Sequence, residues 1–115
     1  MSEDNVKFGD YLREQISQAQ ITQSAFYSAV GITKPYFYDI LSGKIKPPPL
    51  DIQIRMIDEL EKNLGVEESR RNSFLNMAAK GRQEIPADIA ELIYSYPDEW
   101  DGVRAYLKQY LTAQR

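Results

Sequence analysis

The sequence predicts an all-α protein. Apolar residues recur three or four positions apart along nearly the whole chain of 115 residues, which is typical of helices with one buried face. No stretch alternates apolar and polar residues as a half-buried strand does. Glycines and prolines interrupt the helical pattern and divide it into seven segments. These segments lie at about residues 6–19, 23–30, 34–42, 50–64, 67–80, 86–96 and 98–114.

A sharp turn is predicted between the second and third helices, which follow an amphipathic first helix. The first helix carries an inner apolar stripe formed by Phe8, Leu12, Ile16 and Ala19. Gly31 stands between the second and third helices, where a glycine supplies the left-handed backbone that a tight turn requires. Thr33 occupies the N-cap position of the third helix, and Gly43 follows as its C-cap. Two helices joined in this way predict a helix-turn-helix, whose second helix can enter a DNA major groove.

The fourth and fifth helices are bounded by residues that cannot continue a helix. The prolines at 47–49 precede the fourth helix, and Gly65 ends it. Its predicted inner face consists of Leu50, Ile54, Ile57, Leu60 and Leu64. The fifth helix is less amphipathic, with an apolar face around Phe74, Leu75 and Ala78. Gly81 is expected to stop it.

The last two helices are rich in aromatic residues. Pro86 suits the start of the sixth helix, and Pro97 breaks it near its end. Asp98 and Glu99 suit the positive end of the dipole of the seventh helix. The two apolar stripes together comprise Ile89, Leu92, Ile93, Tyr96, Trp100, Val103, Leu107, Tyr110 and Leu111.

Composition excludes several classes of site. The chain has no cysteine and no histidine, so it lacks thiolate ligands, the usual zinc ligand and the commonest general base. Its carboxylates show neither the spacing of a calcium loop nor a nucleophile nearby. We therefore expect no metal, no cofactor and no enzymatic activity. The charged N-terminus and the lack of a long apolar run predict a cytoplasmic protein without a membrane partner.

Charge is distributed unevenly along the chain. The net charge of −3 argues mildly against a nucleic-acid-binding protein. However, residues 20–48 contain three lysines and a single aspartate, whereas the chain from residue 49 onward carries nine basic and twelve acidic residues. The acidity therefore lies mainly outside the predicted helix-turn-helix, and this distribution permits DNA binding.

Three stretches of this sequence resemble the DNA-binding domain of the Xre family, the lambda-repressor and Cro-like helix-turn-helix proteins. They are FGDYLREQI, ITQSAF with VGIT, and YFYDILSGKIKPPP, and the resemblance covers about residues 8–64. It implies a five-helix domain at residues 1–80, followed by a C-terminal helical pair at 81–115. It also implies that Gln23 contacts the DNA backbone, that Gly31 makes the turn and that Phe37 and Ile40 anchor the recognition helix.

Two positions depart from the family pattern. Tyr27 stands where the family usually has alanine, at the close crossing of the two helices. Its ring requires a wider crossing or must swing outward. Pro35 stands in the first turn of the recognition helix, where a polar base-reading residue is common. Proline is sterically acceptable in the first turn, so the helix is not broken. However, it leaves fewer polar side chains to read bases.

The resemblance implies a DNA interface built mainly on the third helix. Lys34 would reach a guanine edge or a phosphate, Tyr38 a phosphate or a thymine methyl, and Asp39 a cytosine amino group or a neighbouring lysine. Tyr36 would contact DNA or be half-buried. The other hypothesis for these side chains is an ordinary solvated face, or simple helix capping for Gln23 and Ser24. The complete predicted set is Gln23, Ser24, Thr33, Lys34, Pro35, Tyr36, Tyr38, Asp39, Ser42, Lys44 and Lys46.

The C-terminal helices predict self-association. An apolar pair of helices attached to a complete five-helix unit needs a surface to cover, and aromatic residues are enriched at protein interfaces. The alternative is packing against the first domain. The predicted homodimer interface comprises Ile89, Ile93, Tyr96, Trp100, Val103, Leu107 and Tyr110.

The sequence thus predicts a transcription regulator, specifically a repressor that binds double-stranded DNA as a homodimer. A second hypothesis belongs to another class: a helix-turn-helix that binds a protein partner, as in an antitoxin, an anti-repressor or a phage-encoded inhibitor. The acidic net charge, Tyr27, Pro35 and the aromatic C-terminal helices favour this second hypothesis. A basic recognition face favours DNA, and a neutral aromatic one favours a protein partner.

Overall fold

The computed structural model describes residues 2–113, and these fold as an all-α structure with no strand. The helices are α1 (Glu3–Gln18), α2 (Gln23–Val30), α3 (Lys34–Ser42), α4 (Leu50–Leu64), α5 (Glu68–Arg82), α6 (Ala87–Tyr94) and α7 (Trp100–Ala113). One turn of 3₁₀-helix at Pro97–Glu99 leads into α7. The all-α class and the number of helices are confirmed for the part of the chain described. The predicted end of the last helix, at residue 114, lies outside it.

The bounds of α2 and α3 follow from local capping. The Thr22 hydroxyl accepts a hydrogen bond of 3.0 Å from the backbone N–H of Ala25 and begins α2. Thr33 accepts one of 3.3 Å from the N–H of Tyr36 and begins α3. Gly31 ends α2 in the left-handed conformation with φ +86°. The predicted turn and both of its caps are therefore present.

Several helix ends differ from their predicted positions, by up to three residues. Helix α1 begins at Glu3, three residues before the predicted start. Helix α5 continues through Gly81 and ends where Gln83 takes a left-handed conformation with φ +57°. Gly81 lies against Pro47, so it serves the close packing of α5 on the proline loop and does not stop the helix. Helix α6 ends at Tyr94, because Pro97 initiates a separate turn.

Helices α1 to α5 enclose one hydrophobic core. Helix α1 packs against both α3 and α5, and α2 packs against α4. Aromatic rings join these layers: the Phe8 and Phe74 centroids are 5.3 Å apart, and those of Phe26 and Phe37 are 6.0 Å apart. The predicted stripe of α1 is fully inside. The buried apolar residues are Phe8, Leu12, Ile16, Ala19, Phe26, Val30, Phe37, Ile40, Leu41, Met56, Ile57, Leu60, Phe74, Leu75, Ala78 and Ala79.

Helix α1 crosses α3 at a glycine. A Cβ atom added to Gly9 would lie 2.7 Å from the carbonyl carbon of Leu41 and 2.9 Å from the carbonyl oxygen of Ile40. Both neighbours are backbone atoms of α3, so they cannot rotate away. Gly9 therefore sets the distance between α1 and the helix that is predicted to read DNA.

The inner face of α4 differs from the predicted one. Leu50 and Ile54 remain 38% and 37% exposed, whereas Gln53 and Met56 are buried beside Ile57. The amide Nε2 of Gln53 donates a 2.8 Å hydrogen bond to the carbonyl oxygen of Pro48. This bond satisfies the amide inside the protein, so a polar residue takes a place that apolar periodicity assigned to leucine and isoleucine.

Helices α6 and α7 stand apart from the core. Neither contains a buried residue within residues 2–113, and α7 lies against the 3₁₀ turn that precedes it and, at Trp100, against Ile93 and Tyr94 at the end of α6. The Trp100 indole Nε1 donates a 2.8 Å hydrogen bond to the carbonyl oxygen of Ile93 and fixes the start of α7 on the end of α6. Among the helices described, none is both long enough and apolar enough to cross a bilayer.

Candidate nucleic-acid interface

The predicted interface centres on the turn between α2 and α3. The backbone N–H groups of Gly31 and Ile32 both donate to the carbonyl oxygen of Tyr27, at 3.0 and 3.1 Å. These bonds satisfy the end of α2 and fix the direction in which the chain enters α3. Arg55 of α4 supports the same turn, since its Nη1 donates a 3.1 Å hydrogen bond to the carbonyl oxygen of Val30.

Helix α3 divides its side chains between the core and the surface. Phe37, Ile40 and Leu41 face inward and are buried. The remaining predicted side chains form the outer face. Of these, Thr33, Lys34, Pro35, Tyr38 and Ser42 are exposed, while Tyr36 and Asp39 are half-buried. Pro35 lies in the first turn of an unbroken helix, as expected.

Three lysines are available to an anion on this side of the molecule. Lys34 begins α3, and Lys44 and Lys46 lie on the loop that follows it; all three are exposed. In the described structure, none of the three ammonium groups forms an ion pair, and neither does Asp39. The alternative role of Asp39, holding a neighbouring lysine, is therefore absent here. The surface keeps the positive charge that the sequence gives it.

Helix α2 contributes less to the surface. Gln23 is half-buried and Ser24 is exposed. Thr22 provides the cap of α2, so neither Gln23 nor Ser24 is needed for it. Their polar groups stand beside the first N–H groups of the helix, which is a favourable position for a phosphate.

Tyr27 belongs to an aromatic cluster on the same surface. Its ring centroid lies 5.4 Å from that of Phe37 and 6.5 Å from that of Tyr38. The ring is half-buried and packs along α3, so the crossing of α2 and α3 accommodates a bulky residue. The outer face of α3 and its surroundings are thus partly basic and partly aromatic.

Tyr36 keeps its proton at physiological pH. Partial burial raises the pKa of its hydroxyl above the usual value, and the positive charge of Arg82 opposes this effect only in part. A protonated phenol can donate a hydrogen bond to a phosphate or a base acceptor. Tyr36 therefore stays a neutral donor at the edge of the face.

Two arginines contact backbone carbonyl groups near the turn and the loop, and the sequence does not indicate these contacts. Arg55 holds the end of α2, and Arg82 donates a 3.0 Å hydrogen bond from Nη1 to the carbonyl oxygen of Pro47 in the loop after α3. Their partners are 25 and 35 residues away in sequence, so no local pattern indicates these contacts. Arg55 thus fixes the end of α2, and Arg82 fixes the loop that follows α3.

The predicted dimer residues lie on α6, on α7 and, for Tyr96, in the turn between them. Four of them, Ile93, Trp100, Val103 and Leu107, line one surface, whereas Ile89, Tyr96 and Tyr110 lie outside that lining. Trp100, Leu107 and Tyr110 are 40%, 40% and 50% exposed, and Ile93 and Val103 are half-buried. A groove of about 440 Å³ runs between the two helices, and its apolar lining is Ile93, Tyr94, Trp100, Val103, Leu107 and Leu111. This surface is separate from the lysines of the α3 side in sequence and in its supporting helices.

No family model, curated protein or solved structure matches this chain. The described residues also contain no group of three or more aspartate or glutamate side chains placed to hold a metal ion.

Proposed function

We propose that this chain is a sequence-specific DNA-binding transcription regulator of the Xre type, a repressor that binds as a homodimer. In this proposal α1 to α5 form the lambda-repressor-like domain, and α3 enters the major groove. The observation that carries the proposal is the exposed outer face of α3 with three lysines free of ion pairs around it. Phosphate binding requires this kind of charge, and base readout requires this kind of exposed helix.

In this function, one set of residues contacts base edges and another contacts phosphates. Lys34, Tyr38 and Asp39 project from the part of α3 that enters a groove in this motif, and they read base edges. Lys44 and Lys46, on the loop, hold the phosphates beside the groove, with Gln23 at the start of α2. Phosphate contacts set the register, and α3 supplies the sequence preference.

A random-DNA selection followed by a salt titration tests this function. The two loop lysines that hold phosphates predict that the logarithm of the association constant falls with the logarithm of salt concentration with a slope of about −1.8 for each DNA-binding module. A dimer bound to two half-sites doubles that slope. The proposal would be contradicted if the selection recovered no sequence, or if the affinity did not change with salt concentration.

Lys34→Ala should weaken binding to the selected site by about 1–3 kcal/mol, because a lysine paired with a base edge contributes about that much to discrimination. Fluorescence anisotropy with labelled duplex measures the change. Lys62→Ala is the matched control: Lys62 is exposed on α4 and paired with Glu59 at 2.8 Å, outside the interface. The proposal predicts no change in affinity for this control, and equal losses in both variants would contradict a role for Lys34.

The aromatic cluster supports a second candidate function, binding to a protein partner. Tyr27 and Tyr38 place two aromatic rings on the α3 side, and aromatic residues are common in protein interfaces. Under this alternative the chain resembles an antitoxin, an anti-repressor or a phage-encoded inhibitor in its use of the helix-turn-helix. The DNA selection separates the two functions, since a protein-binding module would recover no operator.

A further inference from the structure

We propose that two copies of this chain pair through α7 in antiparallel orientation, with the twofold axis passing beside residue 105. This inference rests on the homodimer in the proposed function and adds the partner's orientation and register. It does not depend on DNA. The supporting observations are the isolation of α7, the spacing of its apolar stripe and the distribution of its charges.

Helix α7 lacks the packing that a helix of its length needs. It has 14 residues, and isolated helices of about 12–15 residues are marginal in water. In the described structure α7 contains no buried residue and lies against the turn before it and the end of α6. Trp100, Leu107, Tyr110 and Leu111 remain exposed, and Val103 is half-buried. A second copy of α7 would cover that stripe and supply the missing tertiary contacts.

The apolar stripe of α7 has the same spacing when read in either direction. Trp100 and Val103 are three residues apart, Val103 and Leu107 four, and Leu107 and Tyr110 three. An antiparallel twofold axis beside residue 105 therefore places Val103 opposite Leu107 of the second copy. The same axis places Trp100 opposite Tyr110, so each large aromatic meets another. The alternation of three and four is also the heptad spacing that lets two helices interlock.

Charge favours the antiparallel orientation over the parallel one. The acidic residues of this region, Asp98, Glu99 and Asp101, precede or begin α7, whereas Lys108 lies in its second half. With the axis at residue 105, Lys108 of the second copy lies level with Gly102, next to Asp101. Arg104, nearest the axis, keeps its own ion pair with Asp101 at 2.7 Å. A parallel pair would set the acidic starts side by side.

The first part of the test is the mass of the protein in solution, without DNA. Sedimentation equilibrium should give twice the mass of the chain, and Leu107→Asp should reduce it to a single copy. Leu92→Asp is the matched control, since Leu92 is an exposed leucine of α6 outside the stripe. The expected result is that this control stays dimeric. Circular dichroism should show that α1 to α5 stay folded in both variants, because neither leucine belongs to the core. A monomeric parent protein, or equal dissociation by both variants, would overturn the proposal.

The second part measures orientation with nitroxide labels. The chain has no cysteine, so Ala105→Cys and Thr112→Cys each create a single labelling site. In the antiparallel pair the two labels at 112 are offset along the helix axis by about 21 Å, whereas those at 105 are level. The expected result is a clearly longer distance for position 112. Equal distances at the two positions would indicate a parallel pair and overturn the proposal. Failure of the DNA selection would leave these distances unchanged, so the two proposals fail separately.

Discussion

Gly9→Ala is expected to lower the free energy of unfolding by about 3 kcal/mol, at the upper end of the usual cost of overpacking a core. The added methyl group would lie within 2.7 Å of the carbonyl carbon of Leu41 and 2.9 Å of the carbonyl oxygen of Ile40. Because both atoms belong to the α3 backbone, relief requires α1 and α3 to separate. Urea denaturation followed by circular dichroism measures the change.

The control for this variant is Gly102→Ala. Gly102 is also helical, but a Cβ there meets nothing within 4 Å. Alanine favours a helix over glycine, so this substitution should raise helix content slightly and leave the core stability unchanged. An equal loss of stability in the two variants would show that the close approach of α1 to α3 is not the cause. Since Gly9 positions α3, Gly9→Ala should also weaken DNA binding at temperatures where the variant is still folded.

Replacing both loop lysines, as Lys44→Gln/Lys46→Gln, is expected to reduce DNA affinity about 60-fold at about 0.1 M salt for each DNA-binding module. The same principle predicts a salt slope shallower by about 1.8, because two phosphate contacts no longer release counterions. The loss should be similar for specific and non-specific sequences, since phosphates carry no base information. Titrations of both kinds of duplex at several salt concentrations measure these quantities.

The matched control removes the same two charges elsewhere. Arg13 pairs with Asp10 at 3.2 Å on α1, and Lys62 pairs with Glu59 at 2.8 Å near the end of α4. Arg13→Gln/Lys62→Gln therefore changes the net charge equally while leaving the α3 side intact. It should change affinity and salt slope little. If both double variants lose affinity alike, the overall charge governs binding and the loop has no special role.

Local signals were sufficient for the helix-turn-helix segment. Thr22 and Thr33 cap their helices through side-chain hydrogen bonds, and Gly31 takes a left-handed conformation, all within a few residues of the elements that they bound. The buried face of α1 also followed from apolar spacing alone. These features depend on neighbours in sequence, and for that reason the sequence predicts them.

Features that depend on distant partners were not predictable in the same way. Gln53 is buried, and its amide donates to the carbonyl oxygen of Pro48. The inner face of α4 therefore includes Gln53, whereas Leu50 stays exposed. Gly81 was expected to end α5 because glycine often ends a helix, but it lies inside the helix and packs closely against Pro47. The contact between Arg55 and Val30 joins residues that only the folded chain brings together. The DNA-reading and self-association roles stay predictions.

The position of Trp100 gives the protein a built-in optical probe. It is the single tryptophan of the chain, and its indole is held at the junction of α6 and α7, outside the core of α1 to α5. Its emission therefore reports on the C-terminal helices, whereas circular dichroism is dominated by the helices of the core. Recording both signals during heating separates changes at α6 and α7 from melting of the core of α1 to α5, with no label added.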